Sequence, residues 1–236
     1  MLAISQIHAV TIDYYLLITA LLLLWFPRQW LRAGRKATKR LRWLRRSRNR
    51  TKDPTQIREP GDTRLKFSEE FTKPRNYIDF LRALAGGLVV IGAPDWGVRS
   101  CFELAPDQVL AGGEDGLIMA LRMTILLVAM LVQFVRYEKK ITFYASTFFL
   151  AGMGFALCGF SAGFVAFLIV WTMNTAMPLT PAGFLSAFAL LIFMLGLLFL
   201  GVDDEYVLFA GIVCFLPVMI SLLARRSLAL FNKRMK

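Results

Sequence analysis

The sequence predicts an all-α membrane protein, a polytopic bundle of about seven transmembrane helices with its amino terminus outside and its carboxyl terminus inside. Apolar residues make up 57% of the 236 positions and charged residues only 19%, a more apolar balance than soluble domains have. Uncharged stretches of about 20 residues, the length that crosses a bilayer, recur along the chain. The basic residues between them collect in segments that fall on one side.

The net charge of +12 is local. Segment 27–76 carries 17 basic and 5 acidic residues, so 17 minus 5 accounts for all of the +12. Within it, residues 28–52 contain twelve Lys and Arg and no acid. Lys and Arg in short loops beside membrane helices stay on the cytoplasmic side, which places this segment inside. We therefore expect an integral multi-pass protein of a bacterial inner (plasma) membrane.

Four regions follow from the charge pattern. Residues 1–26 contain the first transmembrane helix, predicted from Ile7 to Phe26. Residues 27–76 form a basic cytoplasmic segment, an amphipathic surface helix followed by a linker in which Phe67 and Phe71 favour one short helical turn. Residues 77–224 form a six-helix transmembrane region with an acidic outer loop at 95–116, and residues 225–236 form a basic cytoplasmic tail.

The six-helix region is divided by its charges and prolines. One helix is predicted over Tyr77–Pro94, one over Leu117–Val135, and the last two over Ala182–Leu200 and Tyr206–Ala224. The uncharged stretch 141–177 would be about 55 Å long as one helix, too long for a bilayer. We expect two short helices that meet near residues 159–162, because two crossings leave the acids at 203–205 outside and the basic tail inside.

The basic segment has one apolar face. Trp30, Ala33, Ala37, Leu41 and Leu44 recur at intervals of three and four, which predicts an amphipathic helix on the inner membrane surface. Each basic residue near anionic lipid contributes about 1 kcal/mol. The side chains expected to bind anionic lipid or an acidic partner are Arg35, Lys36, Lys39, Arg40, Arg42, Arg45 and Arg46. An equally favoured alternative is that the charges serve only to set the topology. Nucleic acid is the least favoured partner, because the segment is tethered to a membrane helix.

Two pairs of opposite charges lie within predicted spans. Helices one and three both enter the membrane from the outer side, and Asp13 and Arg122 lie roughly 8 to 9 Å deep in them. We expect the two residues to form an ion pair, because intramembrane charges usually pair. A structural clamp is favoured over solute binding or proton relay. Asp79 and Arg82 are three residues apart and are expected to pair at a hydrated helix end. We expect Asn174 and Thr172 to form hydrogen bonds between helices.

Small residues mark a predicted packing face. Gly152, Ala156, Gly159 and Gly163 recur at steps of three and four, a spacing that lets helices approach closely in lipid. Residues 159–163 (GFSAG) also match the Gly-x-Ser-x-Gly pattern of serine hydrolases, with Ser161 at its centre. Only His8 could act as its base, so we interpret Ser161 as a small residue in a tight turn.

One stretch is similar to a known family. Residues 77–85 (YIDFLRALA), followed by Leu88, Val89 and Val90, resemble the opening helix of the membrane acyltransferases that modify sugars and envelope polymers. The resemblance implies an enzyme of around ten spanning helices, with a His at the end of this helix that serves the transfer. That position is occupied by Ala93 here, and the similarity covers some fifteen residues.

These observations favour a non-catalytic integral membrane subunit or scaffold of a larger complex, in contact with membrane lipids and other membrane proteins. The alternative is a small-solute transporter or channel with Asp13 and Arg122 on its path, and the third option is an acyltransferase-like enzyme. The sequence has no nucleotide-binding glycine loop, and its three scattered cysteines form neither a metal-ligand pattern nor a disulfide framework. We therefore predict no cofactor, no metal and no catalytic residue, and interpret the cysteines as packing residues, with Cys101 alone exposed.

Overall fold

The computed structural model describes residues 10–26, 64–104, 116–137, 141–201 and 204–229, and that part of the chain is mostly helical. Its helices are α1 (Tyr14–Trp25), α2 (Phe67–Phe71), α3 (Pro74–Ile91), α4 (Gly116–Phe134), α5 (Thr147–Ala176), α6 (Pro181–Leu200) and α7 (Glu205–Leu223), with a 3-10 turn at Pro94–Trp96. Its strands are β1 (Val10–Ile12), β2 (Phe102–Leu104), β3 (Val135–Tyr137) and β4 (Ile141–Phe143).

Four helices, α4 to α7, are long and apolar enough to cross a membrane. The chain is thus a multi-pass membrane protein, as its composition predicts. Helices α4, α6 and α7 begin and end within one residue of the predicted bounds, because charged or turn-forming residues limit each apolar run, whereas α5 begins six residues after residue 141, since β4 occupies the start of that stretch. At the start of α7, for example, the Asp204 carboxylate accepts a hydrogen bond from the amide of Tyr206 at 2.9 Å.

The first helix begins later than predicted. The Asp13 carboxylate accepts hydrogen bonds from the amides of Tyr15 (3.0 Å) and Leu16 (3.2 Å), which makes Asp13 the cap before the helix. The residues just before it form β1, which pairs antiparallel with β2. The prediction of one helix from Ile7 to Phe26 is therefore wrong over residues 10–13, and α1 has only 12 residues.

Helix α5 is a hairpin of two antiparallel halves, 147–158 and 160–176. Gly159 separates them with non-helical torsion angles (φ 73°, ψ 171°). The rings of Phe148 and Phe167 lie 5.8 Å apart, whereas residues nineteen positions apart in a straight helix would be separated by about 28 Å. The prediction of two short helices that meet near residues 159–162 is confirmed.

The first half of α5 forms the centre of the bundle. All of its residues from Thr147 to Cys158 are buried. A Cβ atom at Gly152 would collide with the carbonyl oxygen of Phe80 in α3, and one at Gly154 would lie 3.3 Å from the Phe188 ring of α6. On a third side, the Cys214 thiol of α7 lies 3.9 Å from the Leu150 carbonyl oxygen.

Consecutive segments alternate between two ends of the bundle. At one end, which we call the β1–β2 end, the turn of α5 lies close to the loop after α3, since the rings of Trp96 and Phe160 are 6.4 Å apart. At the other, the β3–β4 end, the amide of Ala229 bonds to the Phe143 carbonyl at 2.8 Å. Helix α2 belongs to this second end, because its Phe71 ring lies 5.3 Å from Phe148.

Candidate functional site

Arg122 organises a buried polar cluster at the β1–β2 end. Its guanidinium donates to the Tyr206 hydroxyl at 2.7 Å, to Ser100 Oγ at 3.1 Å and to the Phe102 carbonyl at 3.3 Å. Ser100 in turn donates to the Val90 carbonyl at 3.0 Å. The cluster therefore ties α3, α4 and α7 to the loop that precedes β2, and the two terminal nitrogens of Arg122 make these hydrogen bonds.

Asp13 lies on the other side of the same loop. Its amide donates to the Cys101 carbonyl at 3.1 Å, next to the Phe102 carbonyl that Arg122 binds. The predicted position of Asp13, deep inside a helix, is wrong, because its side chain is exposed and caps α1. The predicted contact between the Asp13 carboxylate and the Arg122 guanidinium stays a prediction.

Cys101 is fully buried between these two groups, so the prediction that it is exposed is wrong. Burial raises the pKa of its thiol to about 11. Since the thiolate is the reactive form, only about one molecule in a thousand carries it at pH 8. We expect maleimide to label none of the three cysteines of the folded protein at pH 8, because all three are buried.

A matched control for that labelling experiment is Ser161→Cys, which places a thiol on the exposed turn of α5. The folded variant should react with one maleimide. In the detergent-denatured protein, every cysteine should react. Rapid labelling of Cys101 in the folded protein at pH 8 would show that the loop before β2 opens.

A second buried cluster lies toward the β3–β4 end. Arg82 and Asp79 form an ion pair at 3.1 Å, with only 7% and 1% of their side-chain surfaces exposed. The guanidinium also donates to Gln133 Oε1 at 2.7 Å and lies 5.4 Å from the centre of the Phe149 ring. The predicted pairing of Asp79 with Arg82 is confirmed, but the predicted hydration is wrong.

This cluster also holds the end of α1. Gln133 donates to the carbonyls of Leu24 (3.2 Å) and Phe26 (3.0 Å), and Arg82 donates to the Phe26 carbonyl as well. The last carbonyls of a helix have no partner within the helix, so a buried helix end requires such donors. Sequence reasoning missed Gln133, although an amide side chain within an apolar span is a signal for interhelical bonding.

The chain returns from the basic segment at the same end. Leu65 is fully buried, and its amide donates to the Leu179 carbonyl at 2.9 Å. Asn174 donates to the Leu65 carbonyl at 3.1 Å and accepts from the Leu179 amide at 2.9 Å. Asn174 thus bonds to two loops, and not between helices as predicted.

Helix α2 follows directly and packs on the bundle. Phe67 and Phe71 stack at 4.1 Å, and Phe71 lies 4.9 Å from the ring centre of Trp171. The predicted short helical turn with these two rings is confirmed. The described residues on either side of segment 27–63 are therefore held by the bundle, Phe26 before it and Leu65 after it.

We expect Asn174→Leu to loosen this second attachment. It removes both bonds of the amide side chain and should cost about 2 kcal/mol locally, since a buried polar group loses its partner. Trypsin cleavage after Lys66 should become roughly 30-fold faster, the factor that corresponds to about 2 kcal/mol. The matched control is Thr172→Val on the same helix, because Thr172 is exposed and bonds only to the Leu168 carbonyl of its own helix among the described contacts. Equal cleavage of the two variants would contradict the assigned role.

The structure places the predicted packing residues in three settings. Gly152 packs on α3, and Ala156 faces Gly87, where an added Cβ would lie 2.7 Å from the Ala156 Cβ. Gly163 lies against Phe155 within the hairpin, while Gly159 forms its turn. The predicted docking residues Arg35, Lys36, Lys39, Arg40, Arg42, Arg45 and Arg46 lie outside the described residues, as does His8.

Among the residues that the structure describes, no group of three or more His, Cys, Asp or Glu side chains could hold a metal ion. An apolar groove of about 490 Å³ lies between α6 and α7, with Ser186 as its one polar lining residue. Comparison with models of protein families, with curated proteins and with solved structures finds no significant match to this chain. The geometry of the chain's own residues is therefore what supports a function.

Proposed function

We propose that this chain is a non-catalytic integral membrane subunit or scaffold of a larger membrane protein complex. Residues 27–63, the first part of its basic segment 27–76, dock to anionic lipid or to an acidic partner on the cytoplasmic side. The single observation that carries the proposal is that buried side chains hold the described residues on either side of 27–63. Arg82 and Gln133 hold Phe26, and Asn174 holds Leu65.

The charges at the two ends support the orientation. The described basic residues at the β3–β4 end include Arg64, Lys66, Lys73, Arg75, Arg225 and Arg226, which outnumber the acids Glu69 and Glu70 at that end. The described acids Asp13, Glu103, Asp204 and Glu205 lie at the β1–β2 end. By the positive-inside rule, the β3–β4 end faces the cytoplasm.

The same arrangement supports seven crossing segments. They are α1, α3, α4, the two halves of α5, α6 and α7, which run alternately toward one end and the other. With this count, α1 enters from outside and α7 ends inside. The orientation is tested with Ser161→Cys and Ser227→Cys, both at exposed positions. Each variant is labelled with an impermeant thiol reagent in sealed inner-membrane vesicles.

The subunit proposal is tested by purification in mild detergent from the native membrane, a salt wash, and mass spectrometry of the proteins that remain bound. Recovery with other membrane proteins at fixed stoichiometry is the expected result. Recovery of the chain alone, or only with copies of itself, would overturn the proposal.

Docking of the basic segment to lipid gives a separate expected outcome. In nanodiscs that contain anionic lipid, trypsin should cleave segment 27–63 at least tenfold more slowly than in zwitterionic nanodiscs, because each basic group near the surface contributes about 1 kcal/mol. Added salt should remove the protection. A variant in which the seven predicted docking residues are replaced by Gln should depend on lipid charge much less, since five of the twelve basic residues at 28–52 remain, whereas full protection in this variant would contradict lipid docking.

A further inference from the structure

Helix α1 is too short for the bilayer that the other helices fit. Its 12 residues from Tyr14 to Trp25 extend about 18 Å, whereas the 20 residues of α6 extend about 30 Å. The hydrocarbon layer of a typical membrane is about 30 Å thick. Tilting α1 would reduce its reach further, so tilt cannot remove this difference of about 12 Å.

The chain beyond the outer end of α1 is unsuited to hydrocarbon. There, among the described residues, β1 pairs with β2 in a two-stranded ribbon whose Thr11 and Glu103 side chains are exposed, and a charged side chain such as that of Glu103 is costly in hydrocarbon. Open sheet edges that face lipid do not occur within the hydrocarbon layer. The ribbon must therefore lie at or above the membrane surface, directly before Asp13.

The inner end of α1 is limited in the same way. Phe26 has an extended backbone, so the helix does not continue into it. Gln133, which binds the Phe26 carbonyl, is the penultimate residue of α4. The next residues form the two-stranded β3–β4 ribbon, which the same rule places outside the hydrocarbon. Phe26 thus lies at the inner boundary.

The exposed face of α1 has, at each of its two ends, residue types that concentrate at membrane–water interfaces. Tyr14 and Tyr15 are 67% and 87% exposed at one end, and Trp25 is 37% exposed at the other. Tyr and Trp concentrate at the headgroup level of membranes. Tyr15 and Trp25 are ten residues apart, or about 15 Å, with the exposed apolar Ile18 and Leu22 between them.

We propose that the lipid bilayer is thinned to about 18 Å along the exposed face of α1. Lipid is the occupant of this face, because aromatic residues at both ends with aliphatic residues between them match a thin hydrocarbon layer. A short spanning segment is accommodated by thinning of the bilayer at a modest cost per ångström. Thinning brings water and headgroups close to Phe26, the last described residue before the basic segment. The proposal rests on the membrane placement of the chain and not on its membership of a complex.

The test compares two nitroxide labels on the full chain reconstituted in vesicles. Ile18→Cys and Leu190→Cys lie near the middle of α1 and α6 and are similarly exposed, at 56% and 63%. The native cysteines are buried and do not interfere. Power-saturation EPR with oxygen and a water-soluble nickel chelate should place the label at 190 about 14 Å deep and the label at 18 only about 6 Å deep, by the rise of each helix from its outer or inner end.

Equal depths of about 14 Å for the two labels would overturn the proposal. Shielding of the label at 18 from both oxygen and the nickel chelate would also overturn it, because a second copy or a partner helix would then cover α1. Thr19→Cys, at an exposed neighbouring position, replaces Ile18→Cys if that variant does not fold. The label at 190 reports the membrane placement independently, and purification with partners tests the subunit proposal separately.

Discussion

Gly152→Ala is expected to destabilise the bundle by about 3 kcal/mol, although alanine favours helices. Gly152 lies in the central half of α5, where it faces the backbone of α3. An added Cβ would collide with the Phe80 carbonyl oxygen and lie 3.0 Å from the Ala83 Cβ. Because backbone atoms cannot rotate away, the two helices must separate and lose contact along their length. Unfolding by SDS titration in mixed micelles measures the loss.

Gly154→Ala is the matched control in the same buried helix half. Its Cβ would meet only side chains of α6, at 3.3 Å from Phe188 and 3.4 Å from Ile192. These can adjust, and the helix propensity of alanine offsets the crowding, so the free energy of unfolding should change by less than about 1 kcal/mol. A similar loss in both variants would show that close approach of α3 is not what position 152 requires.

The membrane helices could be predicted because residues next to them in the sequence determine where each helix begins and ends. Helix α6, for example, was predicted over Ala182–Leu200 and begins one residue earlier, at Pro181, after the Thr180 cap. The turn at Gly159 was predictable from length alone, since 37 uncharged residues exceed one crossing. The start of α1 could not be predicted from the sequence. Strand β1 exists because it pairs with β2, some 90 residues later, and an apolar stretch such as Ile7–Ile12 fits a helix equally well.

The polar clusters show the same division between local and distant partners. Asp79 and Arg82 could be paired from sequence because they are three residues apart on one helix. The side-chain partners of Arg122 include Ser100 and Tyr206, which lie in other elements at sequence separations of 22 and 84. No spacing rule connects such residues. Depth along a helix suggested Asp13 as the partner, but that reasoning assumed a helix that starts before Asp13.

Arg82→Leu is expected to destabilise the protein by about 3 to 5 kcal/mol, the usual cost of removing one partner of a buried ion pair. Asp79 is 1% exposed and loses an ion pair of 3.1 Å. The substitution also removes the hydrogen bonds to Gln133 and to the Phe26 carbonyl, so the end of α1 should loosen. The same SDS titration measures stability, and hydrogen exchange at residues 24–26 should rise.

Two further variants separate the causes. Asp79→Asn combined with Arg82→Leu removes both charges, so it should recover part of the lost stability while hydrogen exchange at residues 24–26 stays high. Arg226→Leu, at an exposed position, should change stability by less than about 1 kcal/mol. If the double variant is no more stable than Arg82→Leu alone, the ion pair is not the main contribution. In that case, Arg82 stabilises the protein mainly through the hydrogen bonds that hold the end of α1. A helix that ends against the bundle needs donors for its last carbonyls.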